Sequence, residues 1–489
     1  MRIKEDSFIE CENSNQELSV YKKEGRNVNT LPFSKELQKH LAGRLLLAGE
    51  IPFPKEILTE HITKGHVSEI SGVRRENGRF TCIRCGNKDP SLFYTFPCKV
   101  CHQDCTYCRS CIMMGRVSEC SKLYSWSGPP LAFPIPDQVM GWEGTLSAGQ
   151  QTASDCVVQA IQKNGEFLVW AVCGAGKTEV LFAGIEAGLL AGKRICIATP
   201  RTDVVLELAP RLKRAFPATE VSALYGGSED RHKPSPLTVS TTHQLFRFSE
   251  AFDVIIIDEV DAFPYSMDKS LHFAVQKSKK PSSTTIYLTA TPSKPMQLAY
   301  QNGKLQAVTI PARYHRQPIT VPEMKWAGNW QKQFLQKKIP SVIKKWVSDR
   351  LQKKTPLLLF FPSIQVMEQV LPLFQELDPK VEAVHSKHPE RKERVQALRN
   401  GEVAGLLTTT ILERGVTIER LEVAVIGAEH EVFSESALVQ IAGRVGRSFA
   451  YPRGTVTFFH YGKSQAMLES IRHIEKMNLE ARKRGLLDA

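Results

Sequence analysis

The run Phe167-Leu-Val-Trp170, followed by Ala171-Val-Cys-Gly-Ala-Gly-Lys-Thr178, constrains this chain more than any other segment. A short apolar run closed by a glycine-rich turn reads as a buried strand, and a helical pattern resumes after Thr178. A strand that hands over to a helix through a tight turn belongs in a parallel sheet, where helices cover both faces. Gly174 and Gly176, flanking Ala175, let the backbone curl so that its N–H groups converge on one point at a helix start, which is an anion site. Lys177 adds a cation suited to the β- and γ-phosphates of ATP, and Thr178 a hydroxyl suited to Mg²⁺. Such loops usually begin with glycine; Ala171 serves equally well if its φ angle stays negative.

The same alternation of apolar strands and helices continues on both sides. Arg194-Ile-Cys-Ile-Ala198, Val254-Ile-Ile-Ile257 and Ile286-Tyr-Leu288 extend the first series. Leu357 to Phe361, Val381 to Val384, Gly405 to Leu407, Val423 to Ile426 and Thr455 to Phe459 make a second. The expected fold class is therefore α/β, with two parallel-sheet domains in tandem at 145–305 and 306–489. A chain of 489 residues is too long for one core, which agrees with this division. Ahead of the sheets, residues 1–75 carry short helical patterns, as in Ser34 to Ala48, and no recognisable chemistry. A cysteine-rich module at 76–126 and a proline-rich linker at 127–144 follow.

Asp258-Glu-Val-Asp261 stands directly after Val254–Ile257, which places Asp258 at the carboxyl end of a buried strand, where α/β sheets bind their ligands. Asp258 is expected to hold Mg²⁺ through its water shell and Glu259 to act as general base on the attacking water. Thr289-Ala-Thr291 follows the next strand. Gln440-Ile-Ala-Gly-Arg-Val-Gly-Arg447 lies in the other half of the chain, with Arg444 and Arg447 near a helix end. An arginine that reaches the γ-phosphate from a separate domain makes hydrolysis depend on closure, and is worth roughly 10³–10⁵ in rate.

Eight of the twelve cysteines fall between Cys82 and Cys120, whereas Cys11, Cys156, Cys173 and Cys196 are scattered. Clustering of this kind in a long chain whose first residues, MRIKEDSFIE, have no apolar export run argues for metal over disulfides. Cytoplasmic residence, with peripheral docking at a membrane, is the expectation. The net charge of +13 favours a polyanionic partner. Arg84, Lys88, Lys99, Arg109, Arg116 and Lys122 would make the cysteine module basic, suited to DNA phosphates, to a protein partner or simply to solubility.

Taken in order, Gln150, Ala171 to Thr178, Thr199-Pro-Arg201, Asp258 to Asp261, Thr289 to Thr291, Thr408 to Thr417 and Gln440 to Arg447 resemble the motifs of superfamily 2 helicases over roughly residues 140 to 465. The resemblance implies two RecA-like domains with ATP between them and nucleic acid across their tops. It implies that Gln150 reads adenine, that Arg447 is the finger, and that Gln440 and Arg444 also face the γ-phosphate. Pro200-Arg201, Thr241-Thr-His243 and Thr408 to Thr410 would touch the nucleic-acid backbone.

Within the superfamily, a cysteine module ahead of the motor and the stretch Tyr107 to Arg116 are similar to the ComFA family of late-competence DNA-uptake ATPases. The primosomal replication-restart helicase carries its cysteines inside the second motor half, and this chain has none after Cys196. Two CxxC knuckles can close a tetrahedral thiolate site around Zn²⁺. The family pattern selects Cys82, Cys85, Cys108 and Cys111 as the ligands of a structural zinc. By spacing alone Cys98, Cys101, Cys105 and Cys120 could hold a second ion, or Cys98 and Cys101 replace one knuckle, and an iron–sulfur cluster competes. The resemblance implies a DNA-stimulated ATPase that moves along single-stranded DNA during uptake of transforming DNA, with other competence proteins and a membrane channel as partners. A duplex-unwinding helicase of replication restart and a nucleotide-gated DNA-binding scaffold are the alternatives.

Overall fold

The computed structural model describes residues 31–386, 388, 390–413 and 418–488. Residues 1–30 and 414–417, the latter part of the Thr408 to Thr417 motif, lie outside this set.

Two parallel sheets dominate. In the first, β9 (Gly165–Ala171), β10 (Ile195–Thr199), β11 (Val221–Leu224), β12 (Leu237–Thr241), β13 (Phe252–Asp258), β14 (Lys279–Thr289) and β15 (Gln306–Ile310) are arranged β11-β12-β10-β13-β14-β9-β15. Val254 to Ile257 are fully buried, as a strand covered by helices on both faces must be. The second sheet holds β16 (Glu323–Trp326), β17 (Leu357–Phe360), β18 (Val381–Val384), β19 (Gly405–Thr408), β20 (Glu422–Ile426) and β21 (Val456–His460), in the order β16-β21-β20-β17-β19-β18. The two-domain α/β expectation is met. The boundary at 305/306 is not: β15 pairs in parallel with β9, so Gln306–Ile310 is the edge of the first sheet.

The last helix, Gln465–Lys483, leaves the second sheet and returns to that edge. Glu480 accepts a hydrogen bond from the Thr309 hydroxyl (3.1 Å), and Arg484 donates to the Thr309 carbonyl (3.2 Å).

The amino-terminal division also needs correction. β1 (Leu46–Leu47) and β2 (Val67–Ser71) flank β8 (Lys122–Trp126), which follows the cysteines, in one antiparallel sheet. β3 (Val73–Glu76) and β4 (Arg79–Cys82) form a hairpin across the 75/76 boundary. Residues 31–75 and the cysteine module are therefore one unit, with Leu37, Leu41, Leu46, Leu58 and Val67 packed together in a small core. The leucines of Ser34 to Ala48 serve a helix only over Lys35–Leu41; beyond it the chain turns into β1. The cysteines are carried by β4, by β5 (Phe93–Pro97) paired with β6 (Asp104–Cys108) and then β7 (Val117–Ser118), and by their turns. Among the described residues, no helix is long and apolar enough to cross a membrane.

Candidate nucleotide and metal sites

Parallel pairing puts the carboxyl ends of β9, β14 and β13 on one rim, and the motifs meet there. The loop after β9 turns through Gly174 (φ +81°) and Gly176 (φ +71°), and the helix starts at Lys177. Ala171 still belongs to the strand and is not among the residues of positive φ, so glycine is not needed there. A side chain at Gly176 would meet the Gln150 amide at 2.3 Å. That amide donates to the Ala175 carbonyl (2.9 Å) and accepts from the Ser147 N–H (2.9 Å), so Gln150 ties the helix Ala148–Lys163 to the loop. Thr178 is buried and Lys177 half-buried.

Asp258 ends β13, two strands from the loop. Glu259 takes a left-handed conformation (φ +59°) that a non-glycine residue holds only under constraint. Its N–H bonds the Leu288 carbonyl at 3.0 Å, which fixes the turn. Asp261 accepts from Thr289 (2.6 Å) and Thr291 (2.7 Å), so the acidic tetrad and the Thr-Ala-Thr turn are one hydrogen-bonded unit.

The second domain closes on this rim. Ser436, on the helix Glu435–Ala442, donates to Asp261 (2.7 Å) and lies 2.8 Å from the Thr291 hydroxyl. One turn on, Gln440 accepts from the Cys173 thiol of the loop at 3.0 Å. Gly443 packs so tightly on Cys173 that a Cβ there would stand 2.4 Å from the Cys173 Cβ. The loop and the arginine-bearing turn thus line one crevice. Arg444 is buried and donates to the Glu413 carbonyl (2.7 Å), while Arg447 folds back on the Gly443 carbonyl (2.8 Å).

Sequence reasoning missed Arg313. It lies in the segment just after β15, fully buried, beside Gly174, and donates to the Gly446 carbonyl (2.7 Å). Its Nε and Nη2 are buried without a hydrogen-bond partner among the described residues, which suits an anion held between loop and turn. Burial, and then the neighbouring Arg447 cation, lower its guanidinium to about 10. Tyr314 and His315 complete the strap, with the Tyr314 N–H on the Gly174 carbonyl (3.0 Å) and His315 Nε2 2.9 Å from the Gly446 carbonyl. The one sequence signal for Arg313 is its place after a strand's carboxyl end, which it shares with Asp258.

Several expected backbone-contacting residues are otherwise engaged. Arg201 joins Glu259 (3.9 Å) to Glu413 of the second domain (3.1 Å). Thr241, Thr242 and Thr408 are buried, the last donating to the Val384 carbonyl (3.0 Å); in the Thr241-Thr-His243 motif His243 is exposed.

The eight module cysteines sort into two sets, each with its sulfurs within 4.8 Å of one another: Cys82, Cys85, Cys108 and Cys111, and Cys98, Cys101, Cys105 and Cys120. The knuckle exchange that spacing left open does not occur. In the first set the Cys82–Cys111 and Cys85–Cys108 sulfur separations are 3.8 and 3.6 Å. Tetrahedral zinc, with Zn–S near ~2.3 Å, requires sulfurs about 3.8 Å apart. A disulfide needs roughly 2.05 Å, and an iron–sulfur cluster spreads its thiolates over several metal atoms. The set fits zinc.

Arg84, expected on the surface, is wholly buried here: it donates to the Cys111 carbonyl (2.9 Å), the Cys111 sulfur (3.4 Å) and the Met114 carbonyl (2.9 Å). Lys88, Lys99, Arg109, Arg116 and Lys122 are exposed. The module is seated on the first motor domain. Buried Lys277 donates to the carbonyls of Arg84 and Phe246, both at 2.8 Å, and a side chain at Gly86 would strike the Phe273 ring at 2.6 Å.

Three family models match the chain. They are described as Competence protein ComFA N-terminal domain (residues 23–125), Type III restriction enzyme, res subunit (143–294), and Helicase conserved C-terminal domain (337–449). Competence protein ComFA of Bacillus subtilis is 49% identical over 446 residues, covering 91% of this chain and 96% of that protein. Competence protein ComFA of Streptococcus pneumoniae is 37% identical over 441 residues, 90% and 98% of the two chains. The structure of an S. cerevisiae Dbp5 variant bound to RNA and ADP BeF3 matches with a TM-score of 0.50 at 12% identity, over 69% of this chain and 94% of that one, a likeness of fold.

Proposed function

The chain belongs to the ComFA family of competence proteins, a superfamily 2 helicase ATPase, and on that premise we propose that it spends ATP to travel along single-stranded DNA and draw transforming DNA into the cytosol. The contact of Cys173 with Gln440 carries the reading, because it sets the phosphate loop of one domain against the arginine-bearing turn of the other.

Each residue then has a task. Lys177 and Thr178, with the Gly174-Ala175-Gly176 backbone, hold the β- and γ-phosphates and Mg²⁺. Asp258 holds the metal's water shell, and Glu259 orients and deprotonates the attacking water. Gln440, Arg444 and Arg447 face the γ-phosphate, which requires Arg447 to leave the Gly443 carbonyl. Gln150 reads adenine with the amide hydrogen that its bond to Ala175 leaves over. Bound ATP supplies the phosphoanhydride whose cleavage reopens the cleft.

The bridge from Arg201 to Glu259 and Glu413 supports stimulation by DNA. A backbone phosphate that draws Arg201 away frees the base and alters the domain contact in one event. Partners of this motor would be other competence proteins and a membrane channel, approached from the inner face of the membrane.

The test is ATP turnover with single-stranded DNA, duplex DNA and RNA of equal length, beside Lys177→Ala protein. Single-stranded DNA should stimulate most and the variant should not turn over. Preference for RNA overturns the substrate, and turnover indifferent to nucleic acid favours a scaffold.

A further inference from the structure

The second set of cysteines is placed as a metal site in its own right. The geometry points to a second structural Zn²⁺ held by Cys98, Cys101, Cys105 and Cys120.

The turn that carries Cys98 and Cys101 repeats the turn of the first site atom by atom. At the first site the Gly86 N–H donates to the Cys82 carbonyl (2.8 Å), the Cys82 N–H donates to the Asn87 carbonyl (3.0 Å), and Gly86 has φ +71°. At the second the His102 N–H donates to the Cys98 carbonyl (2.9 Å), the Cys98 N–H donates to the Gln103 carbonyl (3.0 Å), and His102 has φ +52°. Histidine in this region is strained and persists only where its surroundings demand the turn. The demand is intelligible if the turn must present two sulfurs to one ion.

The other two ligands come from different elements. Cys105 stands on β6, opposite Phe96 of β5, and Cys120 follows β7. The Cys98–Cys120 sulfur separation is 3.7 Å, between the two separations of the first site and close to the spacing of a zinc tetrahedron. The set is closed, four thiolates without an open position, as in structural sites. Ser118 Oγ lies 3.5 Å from the Cys120 sulfur and can donate to the thiolate.

The location supplies the need. The sulfurs of the first site belong to the hydrophobic core, together with Val73 and Val117, whereas none of Cys98, Cys101, Cys105 and Cys120 does. The far end of the β5–β6 hairpin is therefore a short sheet without an apolar core, with Tyr94 and Val100 exposed, and small units of this kind are held by metal or disulfide staples. Cys101 and Cys120 are half-exposed, while all four sulfurs of the first site are buried, so the second ion is open to solvent and the first is not.

The test is metal analysis and thiol titration of full-length protein. We expect two zinc ions per chain, one in Cys98→Ser/Cys105→Ser protein, and all twelve thiols titrating once the wild type is denatured with chelator. One zinc in the wild type, or an unchanged zinc content in the double variant, overturns the proposal. Ten thiols instead of twelve identify a disulfide and overturn it too, as does iron in place of zinc. If the double variant does not fold, chelator competition on the wild type decides. Two phases of zinc release, one ion each with the exposed ion first, support the second site, and a single phase amounting to one ion rejects it.

Discussion

The first motor sheet has two neighbours and holds them in opposite ways. Across the cleft, toward the second sheet, a set of contacts runs between side-chain ends, Cys173 to Gln440, Thr291 and Asp261 to Ser436, Arg201 to Glu413, beside the closer packing of Gly443 on Cys173 and of Arg313 on the Gly446 carbonyl. Each partner in that set can find water or phosphate instead, so the contacts can break and re-form at little cost. Along the seam with the cysteine module, Lys277 reaches two backbone carbonyls in a dry interior and Gly86 leaves no room beside Phe273. Those contacts have no replacement. On the proposed function the cleft is the side that cycles, and the seam is the side expected to stay shut, with the module moving as part of the first domain.

The comparison can be broken by substitutions that report rate on one side and stability on the other. Arg447→Ala should have the largest effect, lowering kcat for ATP about 10³-fold or more while the melting temperature stays put. Its guanidinium donates to a carbonyl of its own turn. A variant of normal turnover would hand the finger role to buried Arg313. Lys277→Ala should do the reverse. It leaves the Arg84 and Phe246 carbonyls without their donor, costs about 1–3 kcal/mol, and should show as a lower denaturation midpoint with kcat nearly intact. A loss of rate without loss of stability would mean that the seam also moves.

Smaller effects sharpen the picture inside the cleft. Arg201→Gln should bring the ratio of DNA-stimulated to DNA-free turnover down towards one, read from paired ATPase assays. A ratio equal to wild type removes Arg201 from the coupling. Ser436→Ala deletes one cross-cleft hydroxyl, worth about 0.5–1.5 kcal/mol, and should slow turnover a few-fold without shifting the melt. If the melt shifts instead, that contact belongs with the seam.

The sequence made the sheets legible because buried parallel strands are uninterrupted apolar runs, as Val254–Ile257 shows, and because Lys177, Asp258 and Arg447 stand at strand or helix ends. It misplaced β15, since the Gln306–Ile310 strand has two polar residues in five and follows the last recognisable motif of its domain. The amino-terminal unit was invisible because β2 and β8, which pair, are separated by the whole cysteine module. Arg84 looked like surface charge for a related reason. A lone arginine between two cysteines gives no sign of turning inward until the carbonyls of Cys111 and Met114 are in place. The motif of Arg201 points to a DNA contact, but its partners Glu259 and Glu413 come from two other motifs and no spacing connects them.

The return of the final helix to the edge of the first sheet has a mechanical corollary. With Glu480 and Arg484 anchored at Thr309, and the chain itself crossing a few residues later through Arg313, these two connections between the halves lie on the same flank. Two strings on one side make a door, not a piston. If the cleft opens as proposed and both are kept, the opening is a swing about that flank, widest at the far lip of the cleft.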